Sequence, residues 1–546
     1  MPSCAQVLAR TLRAAGITRM FGLPGGEILD FMEAARVEGI EFLLVRHEAT
    51  ASLMADVTGQ MQRSPAVCVS TLGPGAVNMT LGVANAYLDR SPLIAITATL
   101  ARARVPVATH QDLDLNAVYR PFTKMALTLD GEDTEAKVRA AIAATIAPRF
   151  GPVHIALPSD IARAEEKEKR KKEEKEENEH ANPQQAPPVT ATPSDAAMGA
   201  MKAALSTARR PIVILGLDLD PRVDPPAVRA FVEQLQAPVF VTPKAKGLLP
   251  EDHPLFYGVC AGVSGDAVVV DFLGRGDLLI GVGFEPVESD KVWHSTMPLV
   301  AIGPVSIAMP GFQPIVEVVG SVPDILSGLA REFGLMDWPP DTRARFRADL
   351  EAAIAPAVRP RGLAGVELTR RLRDLFPRNT ILATDVGTVK MITTQAWACY
   401  EPQTFFESNG LSTMSYAFPA AMAARLQHPD RPVLCTIGDG GFSMTIAELE
   451  TCVRERIHFV TVVFNDSSLS LIDSAQQRRG YPTTGVRYGA VDFATASAGF
   501  GAWSRRVETL DELDAAVREA QRVGRPAVID AIVDPASYGI VRRPGL

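Results

Sequence analysis

Two short runs place oxygen-bearing side chains where a divalent cation could be held: Ile-Gly-Asp-Gly-Gly at 437–441 and Phe-Asn-Asp-Ser-Ser at 464–468. Asp439 and Asn465 lie 26 residues apart, and each follows an apolar run that reads as a buried strand, 432–437 and 459–464. The segment 442–456 between them has the length and pattern of a helix. The unit reads as strand, glycine-rich turn, helix, strand, asparagine-bearing turn. Parallel strands joined in this way bring both turns to the carboxyl edge of one sheet, where open α/β sheets bind ligands. A hard cation takes oxygen ligands. The Asp439 carboxylate, the Asn465 amide oxygen and a nearby backbone carbonyl could hold Mg2+, and the cation could bind a diphosphate. Gly438, Gly440 and Gly441 let backbone N–H groups approach phosphate oxygens closely. A bare Gly-Asp-Gly is an ordinary turn; the two strand contexts and the spaced asparagine favour ligand binding.

A second acidic residue stands in a comparable place. Glu48, in Val-Arg-His-Glu-Ala-Thr-Ala, follows an expected strand at 42–45 and opens an expected helix at 49–61. A carboxyl group there is partly buried, so desolvation can tune its protonation. The plainer reading is a glutamate that merely favours a helix N-terminus.

These residues need a large scaffold. The length of 546 residues suggests three or four domains, and 47% apolar with 22% charged residues is ordinary globular composition. A net charge of −8, with no basic stripe interleaved with aromatics, argues against a nucleic-acid surface. The six cysteines (4, 68, 260, 399, 435, 452) are scattered without a CxxC pair, and Cys68, Cys260 and Cys435 lie in apolar runs. A reducing, cytoplasmic setting is the expectation. The chain opens into an amphipathic helix pattern without a signal peptide. Nothing approaches the roughly 18 uninterrupted apolar residues of a membrane span.

Three α/β stretches are predicted. Residues 1–164 alternate strands at 18–23, 42–45, 66–71 and 93–97 with helices at 49–61 and 77–88. A connector follows at 165–189; its first part, 165–178, is almost wholly charged and mixes both signs at helical spacing before giving way to proline-rich chain. The second stretch, 190–340, has strands at 212–215, 239–242, 278–282 and 299–302. Soft boundaries at Trp338-Pro-Pro and 356–360 lead to the third, 362–546, with strands at 380–384, 432–437, 459–464 and 527–533. Such alternation implies parallel βαβ units. The fold class is α/β, three doubly wound parallel-sheet domains; the first and third can share a fold without visible sequence similarity.

With these segments assembled, the chain resembles the thiamin-diphosphate (ThDP) enzyme superfamily of acetolactate synthases, pyruvate oxidases and 2-oxo-acid decarboxylases, most strongly its acetolactate-synthase-like members. Phe21-Gly-Leu-Pro-Gly-Gly, Arg46-His-Glu-Ala, Gly73-Pro-Gly-Ala-Val-Asn, Thr384-Asp-Val-Gly-Thr and Gly410-Leu-Ser-Thr-Met-Ser-Tyr-Ala-Phe-Pro-Ala-Ala carry the likeness beside the Gly-Asp-Gly and Asn runs. The resemblance implies a pyrimidine-binding, a central and a diphosphate-binding domain, in that order. It implies Mg2+ on Asp439, Asn465 and the carbonyl of Ser467, and diphosphate contacts from Gly438, Gly440, Gly441, Val386, Gly387 and Thr388. Ser412, Gly73 and Asn78 would also bind the cofactor. Glu48 would activate its pyrimidine, and Met414 would wedge it into a bent form. Gly26, Glu27, His110 and Gln111 would face the substrate, His110 as a possible proton donor.

The resemblance further implies active sites between subunits: a dimer as the minimum, a tetramer as the fuller assembly, with no nucleic-acid or membrane partner. The implied activity is formation of an acyl-anion equivalent from a 2-oxo acid, with loss of carbon dioxide, and its addition to a second carbonyl. The alternatives are simple decarboxylation or lysis, as in benzoylformate-decarboxylase-like or 2-hydroxyacyl-CoA-lyase-like members, and then a non-catalytic ThDP-binding subunit. The pattern departs in places. Gly283 and Val287 stand where acetolactate synthases carry arginines, the second of which is implicated in holding the acceptor carboxylate; Lys291 is near in sequence but is not assigned that work. Ser474 replaces a tryptophan nine residues after Asn465, and His110-Gln111-Asp112 replaces a Phe-Gln-Glu triplet. FAD, bound centrally by some relatives, is the lesser expectation, because the Gly216-Leu-Asp-Leu-Asp turn is no GxGxxG fingerprint.

Overall fold

A computed structural model describes residues 1–538 apart from 106, 108–109, 168–192, 261, 289–296, 330–332, 335, 357 and 359. Most of the charged connector and Lys291 therefore lie outside the described residues. The first three residues of the connector belong instead to the preceding fold: Glu165 bridges to Ser3, Lys167 bridges to Glu132, and the Thr134 N–H donates to Glu166 Oε1 at 2.6 Å.

Eighteen strands form three sheets among the described residues. The first sheet holds β1 (Arg19–Leu23), β2 (Glu41–Leu44), β3 (Ala66–Ser70), β4 (Leu93–Thr99), β5 (Met125–Thr128) and β6 (Pro152–Pro158), in the order β2-β1-β3-β4-β6-β5. The second holds β7 (Pro211–Leu215), β8 (Val239–Val241), β9 (Phe256–Val259), β10 (Leu278–Val282), β11 (Leu299–Gly303) and β12 (Val316–Val319), in the order β12-β11-β10-β7-β8-β9. The third holds β13 (Ile381–Thr384), β14 (Phe405–Phe406), β15 (Val433–Gly438), β16 (Val460–Asn465), β17 (Trp503–Val507) and β18 (Ala527–Ile532), in the order β14-β13-β15-β16-β18-β17. The strands pair in parallel, as at Cys68↔Ala95 and Thr436↔Val462. Inner strands such as β3, β7 and β16 are buried along their whole length, which is why they read as continuous apolar runs rather than alternating ones.

The first and third sheets share one strand order. The second has the order of dinucleotide-binding sheets. Two compact units result. One contains the first sheet with Gly410–Thr413 and Met422–Gln427, and the other contains the second and third sheets. In the latter, Phe240 and Phe272 of the second sheet region share a core with Leu382, Trp397 and Leu434 of the third. A buried ion pair, Lys246 Nζ to Glu251 at 2.5 Å, crosses the same region, and Lys246 also donates to the Thr394 carbonyl at 2.9 Å.

The helix expected at 442–456 is two helices, Asp439–Thr445 and Glu448–Arg454. The Leu449 N–H reaches Ile446 O and the Glu450 N–H reaches Ala447 O, so the ladder tightens to three-residue spacing at the junction. The first of the two starts at Asp439, drawing the glycines into its opening turn. No helix of the described residues is long and apolar enough to cross a membrane, and all six cysteines are free and buried.

Candidate active site

Glu48 begins the helix Glu48–Gln62, just after β2; the preceding His47 caps it, its Nδ1 accepting from the Ala49 N–H at 3.1 Å. The Glu48 side chain is buried, 5% exposed. Its Oε2 accepts from Asn78 Nδ2 at 3.0 Å. A Cβ built on Gly75 would stand 2.9 Å from its Oε1, so the glycine makes room for the carboxylate. Gly75 and Asn78 both lie on the helix Pro74–Leu88, which Gly73 opens at φ 57°, ψ −113°, a conformation left to glycine.

The turns after β1, β3 and β4 come together through Thr71 and Gly73. Gly26 and Glu27 share the 3-10 turn Gly26–Ile28, and Thr71 Oγ1 donates to Glu27 Oε2 at 3.0 Å. Gln111, at φ 57°, lies beside Gly73, where an added Cβ would meet its own at 3.0 Å. His110 is exposed and makes no hydrogen bond among the described residues. Ser412 packs with this unit at φ 54°. A brace not expected from the sequence underlies the Gly73 turn. The Tyr119 hydroxyl donates to the Ala76 carbonyl at 2.6 Å, and its ring stacks on His154 at 4.1 Å. His154 lies 2.9 Å from Thr97 Oγ1 and 3.1 Å from Asn116 Oδ1, and burial pushes its pKa down to about 3, so it acts as a neutral strut.

In the other unit, Asp439 follows β15 and Asn465 ends β16, adjacent parallel strands. Asp439 is 3% exposed. Its Oδ1 accepts from the Gly440 N–H at 2.7 Å and the Tyr488 hydroxyl at 2.5 Å; its Oδ2 accepts from the N–H groups of Ser467 at 2.6 Å and Asp466 at 3.2 Å. Burial nevertheless raises its pKa, and that of Asp466, beside it, is pushed to about 7 by burial and then by the Asp439 charge. The Asn465 amide nitrogen donates to Asp530 Oδ1 at 2.8 Å and the Val491 carbonyl at 3.0 Å. That fixes the amide with its oxygen turned away from both, and the oxygen accepts no hydrogen bond among the described residues. Ser467 takes φ 58°, and its carbonyl accepts from the Tyr488 N–H at 3.3 Å. Among the described residues no three His, Cys, Asp or Glu side chains cluster for a metal. One carboxylate, one amide oxygen and one carbonyl are instead a hard-cation donor set.

Beside these groups lies a cavity of about 140 Å3, lined by Val386, Gly387, Thr388, Met414 and Gly438 to Gly441 among others. Its walls are organised by Asp385, for which sequence reading assigned no role. Asp385 is fully buried, its pKa pushed up to about 6 by that burial, and it accepts from the N–H groups of Ser415 at 3.0 Å and Ala417 at 3.2 Å. A Cβ on Gly441 would fall 1.9 Å from Asp385 Oδ2. One carboxylate thus ties together the turns that carry Val386, Met414 and Gly441. Met414 Cε in turn lies 3.2 Å from where a Cβ on Gly440 would be. The sequence signal for Asp385 was its place directly after a strand, two residues before Gly387; nothing in the sequence signalled Tyr488.

Three family models match the chain, all of thiamine pyrophosphate (thiamin diphosphate) enzymes: the N-terminal TPP binding domain at residues 2–118, the central domain at 198–329 and the C-terminal TPP binding domain at 385–531. The chain is 28% identical over 545 residues to an acetolactate synthase of Bacillus subtilis, covering 97% of this chain and 93% of that one. It is 29% identical to the large subunit of acetolactate synthase isozyme 1 of Escherichia coli, over 97% and 94% of the two chains. A probable 2-ketoarginine decarboxylase of Pseudomonas aeruginosa is also 29% identical, over 94% and 91%. Matched in three successive domains and along nearly its whole length, the chain belongs to the thiamin-diphosphate-dependent enzymes and is an acetolactate-synthase-like member of them.

Proposed function

We propose that this enzyme uses ThDP and Mg2+ to turn a 2-oxo acid into an acyl-anion equivalent, with loss of carbon dioxide, and joins it to a second carbonyl compound. The observation that carries the reading is the donor set of Asp439, Asn465 and the Ser467 carbonyl, of which Asp439 lines the glycine-walled cavity. Those three would hold the cation. Gly438, Gly440, Gly441, Val386, Gly387 and Thr388 would receive the diphosphate, with Met414 packed against the cofactor and Ser412, Gly73 and Asn78 contributing contacts. When bound, the cofactor supplies a carbon nucleophile that attacks a carbonyl and stores the electron pair left by decarboxylation.

The chain's own residues have separable tasks. Glu48, dry and bonded to one amide, is suited to hold or share a proton with a ring nitrogen. Glu27, Gly26, Gln111 and His110 would border the substrate, His110 as a donor of protons. The domains would run 1–164, 190–340 and 362–546 around the 165–189 connector. The assembly would be at least a homodimer, and in fuller form a tetramer, with Glu48 of one protomer serving the diphosphate half of another. The setting would be the cytoplasm.

Titration of ThDP into the purified protein should give saturable heat with Mg2+ and little without it. Mass spectrometry of products from pyruvate and a panel of aryl 2-oxo acids should then reveal ligation products. A second reading, simple decarboxylation or lysis, is favoured by one observation. Val287 stands where acetolactate synthases carry the arginine implicated in holding the acceptor carboxylate and cannot pair with one, and at the other arginine position Gly283 sits at φ 59° with Leu219 Cγ 2.5 Å from any added Cβ. Aldehyde and carbon dioxide without a ligated product would establish that reading. A protein that binds ThDP yet turns over nothing in the panel would be a non-catalytic subunit.

A further inference from the structure

The second sheet has its topological switch point between β7 and β10, and sheets of this order take a dinucleotide in the crevice beyond the carboxyl ends of those strands. Three donors converge there: the Leu217 N–H after β7, and the Thr242 hydroxyl and Lys244 N–H after β8. They are arranged as a diphosphate would require, yet one side chain of the protein takes all of them. Glu288, in the short turn after β10, is 4% exposed. Its Oε2 accepts from Leu217 at 2.9 Å and from Thr242 Oγ1 at 2.7 Å, and its Oε1 accepts from Lys244 at 3.3 Å.

The backbone packs closely beside these donors. A Cβ on Gly216, the residue directly after β7, would stand 2.6 Å from the Gly283 carbonyl oxygen, and the Asp218 N–H donates to that same oxygen at 2.8 Å. The Gly216 turn is thus packed against the backbone after β10, and its neighbour Leu217 gives its N–H to Glu288. Nor does a helix N-terminus follow the strand at once to supply a partial positive charge. The next helix is Pro225–Leu235, and the loop before it carries Asp218, Asp220 and Asp224. Three carboxylates against one arginine, Arg222, which pairs with Asp220, leave that loop net negative, and this opposes a phosphorylated ligand.

We propose that the nucleotide crevice of the second domain is closed from within, Glu288 standing where a diphosphate would lie, so that this enzyme neither carries FAD nor takes an ADP-type nucleotide there. The inference does not depend on the ThDP reading, because it concerns residues of a different sheet.

The full-length enzyme tests it directly. Purified protein should show no visible flavin absorption, and titration with FAD or ADP should give only the heat of dilution, with ThDP and Mg2+ either present or absent. Stoichiometric flavin, or saturable ADP binding, overturns the proposal. Glu288→Ala should release the three donors and raise affinity for ADP or inorganic pyrophosphate by about tenfold or more over wild type. Glu288→Gln, which keeps the space filled, should not. Equal behaviour of a folded Glu288→Ala and wild type overturns the role given to this side chain, and the wild-type measurement stands whether or not that variant folds.

Discussion

The first and third sheets have one strand order and put it to opposite uses. In each, the turn after the third strand in chain order is rich in glycine and opens a helix: Gly73-Pro-Gly after β3, and Gly438 to Gly441 after β15. In the first sheet the carboxylate beside that turn, Glu48, comes from the neighbouring connection and accepts one side-chain hydrogen bond among the described residues, from the Asn78 amide. In the third the carboxylate, Asp439, lies in the turn itself and accepts four hydrogen bonds, three of them from backbone N–H groups. A carboxylate with one amide donor keeps lone pairs for a ligand atom; one ringed by N–H groups is fixed in orientation by the backbone that carries them. Topology chooses where turns emerge, and turn composition chooses their charge.

The comparison is broken most severely at its proposed metal end. Asp439→Ala should weaken Mg2+-dependent ThDP binding by more than about 100-fold, read by calorimetry, and abolish turnover with it. Retained tight binding would move the cation elsewhere. The matching change in the first sheet, Glu48→Gln, keeps shape and burial but removes the ionisable group. ThDP affinity should stay within about threefold while turnover falls by about 10²- to 10⁴-fold, the usual range for losing a positioned acid or base. Parallel loss of binding and turnover would make Glu48 a structural residue.

Close packing sharpens the contrast at the next level. A methyl group at Gly441 meets Asp385 Oδ2 at 1.9 Å, and Asp385 is anchored by two backbone N–H groups, so neither partner can give way. At Gly75 the nearest atom is Glu48 Oε1 at 2.9 Å, the end of a longer side chain. Gly441→Ala should cost about 1–3 kcal/mol in stability, and Gly75→Ala less. Denaturation midpoints of the two variants beside wild type give the order; equal midpoints would refute the claim that Asp385 is immovable.

What the sequence made legible follows the burial of each strand. The inner strands β1, β3, β4, β7, β10, β13, β15 and β16 all announce themselves as apolar runs, because both faces are covered. The edge strand β2 was read; of the six strands that went unread, β6 is inner and buried throughout, while β5, β9, β12, β14 and β17 lie on sheet edges. There one flank is open, and charged residues such as Arg505 and Arg506 or a two-residue length hide the pattern. The site divides in the same way. Asp439, Asn465 and Glu48 were legible because each lies at or shortly after the end of a strand. Asp385 carried a weak version of that signal, and Tyr488 carried none, since it reaches Asp439 from a loop 49 residues further on.

Tyr488 also qualifies the picture of Asp439 as a ready cation ligand. Its hydroxyl donates to Asp439 and its N–H to the Ser467 carbonyl, two of the three expected ligands. A cation that displaces the hydroxyl must break a hydrogen bond to a charged group, so Tyr488→Phe should raise Mg2+ affinity by about threefold to tenfold in calorimetry. A fall in affinity would mean that the hydroxyl stays beside the ion and helps to orient Asp439.

The second sheet supplies the third case, a carboxylate with donors but no opening, and its smallest effect is a slope. Burial pushes the Glu288 carboxyl from its ordinary 4.5 up to about 8, outweighing the donors from Thr242, Leu217 and Lys244. Between these two values the unfolded chain has lost this proton and the folded chain still binds it. The folded state thus holds more protons, and stability falls as pH rises. The contribution is fully present below about 4.5 and is lost as pH passes through about 8. Glu288→Gln is neutral throughout, so its melting midpoint should gain on that of wild type across this window and run parallel to it above. Midpoints that stay parallel from pH 5 to pH 8 would show that Glu288 ionises in the folded protein as it does in water, and that the three donors dominate over burial.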